Sequence, residues 1–223
     1  MQLQPGIKRI LDLILHKDSI LDLGCGNGEL ALTLQKQGYC GSYVGLDFSP
    51  ELLEIAKQRI QARESPIKPS FYFLSRDIAT SKWTKRLPFS GYNLVLALAV
   101  LHHIPSFSLR FSLLKKIRAL LIGPKEKQQN PILIHSVWQF LNSPRLKSRV
   151  VAWEKIGLSP QDVETGDYLL DWRSGGYSLR YVHHFNEIEL MEMANMAGFQ
   201  VVDTFYSDGE NSRLGLYQIW QAA

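Results

Sequence analysis

Two cysteines in 223 residues, Cys25 and Cys40, cannot build a disulfide framework. That excludes a small scaffold stapled by bridges and makes the reducing cytoplasm the expected compartment. No apolar run is long enough to cross a membrane. The opening stretch Met1-Gln-Leu-Gln-Pro-Gly6 lacks the apolar core of a signal peptide. No tract is of low complexity, and no segment repeats. An excess of one charge is also missing, since 25 Lys and Arg against 21 Asp and Glu leave a net +4. Such a balance permits a nucleic-acid partner and does not demand one. The remainder is ordinary for a globular protein, with 45% hydrophobic and 21% charged residues. The length suits one α/β domain, residues 1–223, with a modest insertion.

One stretch organises what is there. Ile20, Leu21 and Leu23 form a short apolar run of buried-strand type, and Gly24, Gly26 and Gly28 follow at alternate positions. After Glu29 the pattern turns helical through Leu30, Ala31, Leu32 and Leu34. Strand, glycine turn and helix open a doubly wound α/β fold. Glycine suits the turn because it takes positive φ and lets a ligand approach the backbone. The spacing is tighter than the G-x-G-x-x-G of dinucleotide sites, and Asp22 and Glu29 flank it. Two carboxylates suit a cationic or zwitterionic ligand better than a pyrophosphate. A second strand, Tyr43-Val-Gly-Leu46, ends in Asp47, about 20 residues beyond the last glycine, where a ribose-binding acid belongs. The plain alternative is a tight turn whose Asp47 only caps the next helix.

The remaining chain keeps the rhythm. Gly6 to Leu15 reads as an amphipathic helix, with very little chain before it. Ser49-Pro50-Glu51 starts a helix running to about Arg63, and Pro66 and Pro69 mark a loop. Phe71 to Leu74 is a third strand leading to Asp77 and Ile78, and Tyr92 to Leu98 a fourth. The segment Ala99 to Pro105 follows at the strand ends, where an α/β site is expected. Phe107 to Leu121 is a helix with Arg110, Lys115, Lys116 and Arg118 on its polar side, and Gly123 to Asn130 leads to a fifth strand, Pro131 to His135. From Val137 to about His183 the rhythm breaks. Trp138, Trp153 and Trp172 fall there with Arg145, Lys147, Arg149, Arg173 and Arg180, too long for a connection and too aromatic for a disordered linker. It is expected to form a lid or substrate wall; a purely structural subdomain is the alternative. Asn186 caps a last helix closed by Gly198, and Phe199 to Tyr206 and Leu214 to Trp220 form an antiparallel hairpin.

Asp22-Leu-Gly-Cys-Gly-Asn-Gly28 followed by Gly45-Leu-Asp47-Phe-Ser-Pro50 resembles the first motifs of class I S-adenosylmethionine-dependent methyltransferases, and the resemblance extends over almost the whole chain. It implies a Rossmann-like seven-stranded sheet, parallel with an antiparallel final strand, helices on both faces and the insertion after strand five. It also implies S-adenosylmethionine held by Asp22, Gly24, Cys25, Gly26, Asn27, Gly28, Asp47 and Phe48. Asp77, Ile78 and Ala97 would complete that site. Methyltransferases of this kind usually carry an N-terminal segment that closes over the cofactor, so a late-assigned start is an expectation.

The C-terminal half narrows the resemblance. Gly166-Asp167-Tyr-Leu-Leu-Asp-Trp172, Leu179-Arg180-Tyr181-Val-His183-His184-Phe185 and Leu98-Ala-Val-Leu-His102-His103 resemble tRNA wobble-uridine carboxyl methyltransferases, from which the chain departs at Asp171. That resemblance implies tRNA as partner, a 5-carboxymethyluridine carboxylate as acceptor, and an activating subunit as a further expectation. A carboxylate is ionised near pH 7 and needs no general base. His102, Arg180 and Tyr181 would then orient it as the catalytic set, with His103, Trp138, Trp172, Arg173 and His183 against the substrate. A small-molecule O- or N-methyltransferase is the close rival, and there a histidine would take a proton. A non-catalytic cofactor-binding module and a nicotinamide oxidoreductase are more distant readings. No carboxylate or cysteine stands at ligand spacing beside either His pair, so no metal is expected.

Overall fold

The computed structural model describes residues 3–62, 70–122, 130–173 and 176–223. In chain order the elements are α1 (Pro5–Leu11), β1 (Ser19–Leu23), α2 (Glu29–Lys36), β2 (Ser42–Asp47), α3 (Pro50–Gln61), β3 (Ser70–Ser75), β4 (Leu94–Leu98), a 3₁₀ turn (Leu101–His103), α4 (Phe107–Leu120) and β5 (Ile132–Trp138). Then come α5 (Pro144–Lys147), β6 (Val150–Val151), β7 (Asp167–Trp172), β8 (Ser178–His183), α6 (Glu187–Ala197), β9 (Phe199–Ser207) and β10 (Gly215–Ala222).

Seven strands form one sheet in the order β3-β2-β1-β4-β5-β10-β9. The pairs from β3 to β5 are parallel, and β10 lies antiparallel between β5 and β9. The order reverses between β1 and β4, so the crevice opens at the carboxyl ends of those two strands. Alternate side chains feed two cores. Leu21, Leu23, Val95 and Ala97 pack with Leu113, Ile117, Leu190 and Met193 of α4 and α6. Ile20, Tyr43, Leu94 and Ile134 pack with Ile10, Leu30, Leu34 and Leu53 of α1, α2 and α3 on the other face. The helix ends follow their local chemistry. Ser49 and Asn186 each accept a first-turn N–H at the start of α3 and α6, and Gly198 ends α6 in the left-handed region at φ 83°.

Three boundaries differ from the sequence expectation, and two connections carry structure it did not specify. Helix α1 stops at Leu11, because the Asp18 carboxylate takes the Leu15 N–H and pulls the chain into a turn. Strand β4 starts at Leu94, and Tyr92 makes only an isolated bridge to Leu121. No helix joins β3 to β4 in the described residues; turns do, anchored by the buried Trp83. Strand β5 runs to Trp138, three residues past His135, so Val137 and Trp138 belong to the sheet rather than the insertion. The insertion itself carries a three-stranded antiparallel sheet, β6-β7-β8, over a small core of Phe140, Leu146, Leu170 and Val182. The expected helix end at Arg63, the prolines Pro66 and Pro69, and most of the loop after Gly123 lie outside the described residues. Within those residues, no helix is long and apolar enough to cross a membrane.

Candidate active site

The glycine turn is locked from two sides. The N–H groups of Gly24 and Cys25 both donate to the Leu46 carbonyl, at 2.8 and 2.9 Å. Asp47, at the end of β2, accepts the Gly26 N–H at 2.9 Å on one carboxylate oxygen and the Ser49 N–H at 2.9 Å on the other. Asp47 therefore ties the turn to the start of α3, and each oxygen keeps a lone pair for another donor. Gly26 sits at φ 54° with nothing where a Cβ would stand, so the backbone is bare toward the crevice. Gly24, at φ 73°, has no room for a Cβ, which would meet Val100 at 2.7 Å. Just before the turn, Asp22 is buried and accepts the Tyr43 hydroxyl. Burial pushes its carboxyl up to about 7, and the charge of Asp47 adds to that, against the Tyr43 hydrogen bond. A cation placed beside Asp22 would relieve this cost.

Two cavities border this turn, and a third adjoins them at Leu98 and Ala99. The first, about 330 Å³, is lined by Gly24, Asp47, Phe48, Asp77, Ile78 and His103. The second, about 230 Å³, is lined by Asp22, Gly24, Cys25, Glu29 and, from the N-terminal segment, Leu3, Gln4 and Ile7. The third, about 300 Å³, is lined by Trp138, Trp172, Arg145, Leu146, Ser136, Asp208 and Tyr217. Gly24 borders the first and second, Leu98 the second and third, and Ala99 the first and third. Ala99 adopts φ 56°, a left-handed conformation unusual for a side-chain-bearing residue. Its N–H is held by the Ser136 carbonyl at 3.1 Å and the Ser136 hydroxyl at 3.0 Å.

The expected residues divide among these places. Asp22, Gly24, Cys25, Asp47, Phe48, Asp77 and Ile78 face the first two cavities, with Phe48 77% exposed at the mouth. Gly26, Asn27 and Gly28 form the turn, and Gly28 packs against Ala56, where a Cβ would come within 2.7 Å. Ala97 is fully buried in the core and lines none of the three. His102 is also fully buried. Its Nδ1 accepts the Trp138 N–H at 3.3 Å, which leaves the ring proton on Nε2, and burial holds its pKa well below the usual range. His103 donates from Nδ1 to the Tyr181 carbonyl at 3.2 Å and presents its ring to the first cavity.

Tyr181 and His183 are committed elsewhere. The Tyr181 hydroxyl donates to Asp167 at 2.6 Å and accepts from Arg110 at 3.2 Å. His183 sits between Asp167 at 2.6 Å and Glu189 at 2.8 Å. Arg110, only 1% exposed, pairs with Glu164 at 2.6 Å. Glu164, Asp167 and His183 thus bring three ligand-type atoms within 4.8 Å of one another, a grouping the sequence did not reveal, and Arg110 pairs with one of the two carboxylates, Glu164. Arg173 is exposed and pairs with Asp171. Arg180 lies over the Trp172 ring at 3.9 Å, Trp172 stacks on Trp138 at 5.9 Å, and Trp138 stacks on His102 at 5.0 Å.

Sequence reasoning missed Ser136, Arg145, Asp208 and Tyr217. It also missed that Leu3, Gln4 and Ile7 line the second cavity. The Gly6 N–H donates to Asp208 at 2.9 Å, and Gly6 lies so close to the Tyr217 ring that a Cβ would stand 2.4 Å away.

Comparison with known proteins agrees with this geometry. Residues 21–122 match the family model described as a methyltransferase domain. A 2-phytyl-1,4-naphtoquinone methyltransferase of Trichormus variabilis is 55% identical over 47 residues, 21% of this chain, and the chain spans only 20% of that relative's length. The crystal structure of a SAM-dependent methyltransferase from Methanosarcina mazei superposes with a TM-score of 0.67 at 22% identity, covering 99% of this chain and 98% of that one. Magnesium protoporphyrin IX methyltransferase from Synechocystis, solved with bound SAH, gives 0.61 at 20% identity, covering 97% and 79%. At these identities the likeness to solved structures is one of fold. The seven-stranded sheet with its antiparallel C-terminal strands is the Rossmann-like fold of these neighbours. Over residues 21–122 the chain is similar to a methyltransferase domain, and its fold over nearly the whole length is that of these solved methyltransferases.

Proposed function

We propose that this domain, one unit over residues 1–223, methylates a small planar acceptor seated in the third cavity. The observation that carries the reading is the cavity itself. Trp138, Trp172, Leu146, Leu214 and Tyr217 make flat apolar walls around about 300 Å³, the lower end of the range for small ligands. It shares Leu98 with the second cavity and Ala99 with the first.

S-adenosylmethionine supplies an electrophilic methyl group on a sulfonium. In this reading Asp47 receives the ribose hydroxyls, Asp77 and Ile78 the adenine, and Asp22 faces the positively charged end. Gly24, Leu98 and Ala99 bound the point where methyl and acceptor meet, so alignment and exclusion of water are the work of apolar groups and backbone there. The insertion after Trp138 supplies the outer acceptor wall through Trp172 and Leu146. The naphthoquinone named for one relative and the porphyrin named for one structural neighbour are flat molecules, which supports a planar acceptor.

The tRNA carboxylate draws less support. Tyr181, expected to orient it, and His183, expected against the substrate, spend their polar atoms on Asp167, Glu189 and Arg110. The relatives give no sign of tRNA or of an activating subunit. Labelled methyl transfer from S-adenosylmethionine to 1-naphthol, 1,4-naphthoquinol and total tRNA tests the reading. Label in a naphthol or naphthoquinol is expected; label in tRNA alone overturns it.

A further inference from the structure

The third cavity contains an unused pair. Among the described residues lining it, Asp208 is the one carboxylate, and there is no histidine. Asp208 is held at φ 66°, in the left-handed region, with one oxygen on the Gly6 N–H at 2.9 Å and the other receiving the Tyr217 hydroxyl. Tyr217 is fixed on both sides. Its ring stacks face to face on Phe205 at 5.0 Å, and Gly6 presses on it from the helix α1. Across the strand pair it faces Ser136, whose hydroxyl is anchored by the Ala99 N–H at 3.0 Å. Tyr217 therefore stands one residue from the anchor of Ala99, where acceptor and methyl meet. Its hydroxyl donates to Asp208, and with the Ser136 hydroxyl beside one lone pair of its oxygen the other is left to accept.

We propose that Tyr217 and Asp208 form the proton-accepting pair of the transfer, and that the acceptor is an aromatic hydroxyl that enters protonated; this rests on the small-acceptor reading above. A phenol has a pKa of about 10 and is a weak nucleophile at neutral pH until it loses its proton. The acceptor O–H bond breaks and its electron pair forms the new bond to the methyl carbon. The carbon–sulfur bond breaks with its pair left on sulfur, which becomes a neutral thioether. The acceptor proton goes to the Tyr217 oxygen as the Tyr217 proton goes to Asp208, so Tyr217 ends neutral and Asp208 ends protonated. Burial and the neighbouring Asp208 push the Tyr217 phenol up, so it keeps a proton to relay.

The test compares two probes of one shape, 1-naphthol, which is protonated at neutral pH, and 4-nitro-1-naphthol, which the nitro group ionises. Asp208→Asn keeps an oxygen for the Gly6 N–H, sets an amide NH2 where the Tyr217 hydroxyl was accepted, and takes no proton. Its rate on 1-naphthol relative to the nitro probe should fall by about a hundredfold. Tyr217→Phe should lower the same ratio by about tenfold or more. Titration calorimetry with S-adenosylhomocysteine verifies that each variant is folded. An unchanged ratio in folded variants overturns the pair, whether both rates persist or both fall together. Failure of the wild type on both probes, with cofactor still bound, overturns the aromatic-hydroxyl acceptor and with it the base assigned to it.

Discussion

The two halves of the crevice are built differently. The cofactor half is local: Asp22 to Gly28 and Asp47 lie within two consecutive strand ends, tied by hydrogen bonds between near neighbours. The acceptor half is assembled from six separate places, namely Gln4 and Ile7, Leu98 and Ala99, Ser136 to Trp138, Arg145 and Leu146, Trp172, and Asp208 to Tyr217. One half is a motif and the other a product of topology. A mutation in the first should therefore act on cofactor alone, and one in the second on acceptor alone.

The largest expected effect reaches beyond both halves. His135, buried in β5 beside the acceptor wall, has its pKa pushed down to about 3 by burial. In the unfolded chain it binds a proton below about 6.5, so the unfolded state holds more protons and stability falls as pH drops. The expected loss is roughly 1.4 kcal/mol per pH unit between about 6 and 4. His102, His103 and His184, whose pKa values burial also lowers, add to the slope. Urea unfolding at pH 7, 6 and 5 measures it, and His135→Gln should make it shallower.

Asp22 has the opposite sign. Its folded pKa of about 7 lies above the unfolded value, so the cofactor-free protein loses stability as pH rises from about 4 to 7. Asp22→Asn keeps an acceptor for the Tyr43 hydroxyl and removes the charge. At pH 8 it should raise the stability of the free protein by about 1–3 kcal/mol and weaken S-adenosylmethionine binding, which thermal melts with and without ligand resolve. If stability and affinity move in the same direction, Asp22 does not serve the cofactor half.

The next effect is confined to that half. Asp47→Ala loses the tie to Gly26 and the contact offered to a ribose, costing about 1–3 kcal/mol in S-adenosylhomocysteine affinity by calorimetry. The smallest expected effect is in the other half. Trp172→Ala removes one stacked face and should raise acceptor KM by roughly 0.5–1.5 kcal/mol, with S-adenosylhomocysteine affinity held. Equal loss of both in the same variant would break the division between the halves.

The same division explains what was legible in the chain. Glycine spacing, Asp47 and the alternating strand patterns are short-range signals, and the sheet and the cofactor turn followed from them. The end of β5 was lost because His135 and Ser136 interrupt its apolar run, and with it went the place of Trp138. Tyr181 and His183 look like ligand-binding groups in a linear reading. Their partners Arg110, Asp167 and Glu189 come from α4, β7 and α6, so only the fold shows that they are spent. Asp208 reads as one more turn residue until β10 is placed beside β5 and α1 is laid on its carboxylate.

The stack of Trp172 on Trp138 also has an optical consequence. Of the five tryptophans, Trp83 and Trp220 are sealed in the core and Trp153 lies beside Tyr181, and none of these three pairs with another tryptophan among the described residues. Trp138 and Trp172, 5.9 Å apart and inclined by 25°, are close enough for their excited states to couple. Their pairing is expected to give an ultraviolet circular-dichroism couplet from the wall of the third cavity. Filling of the third cavity is therefore visible without any label, and Trp172→Phe extinguishes the signal.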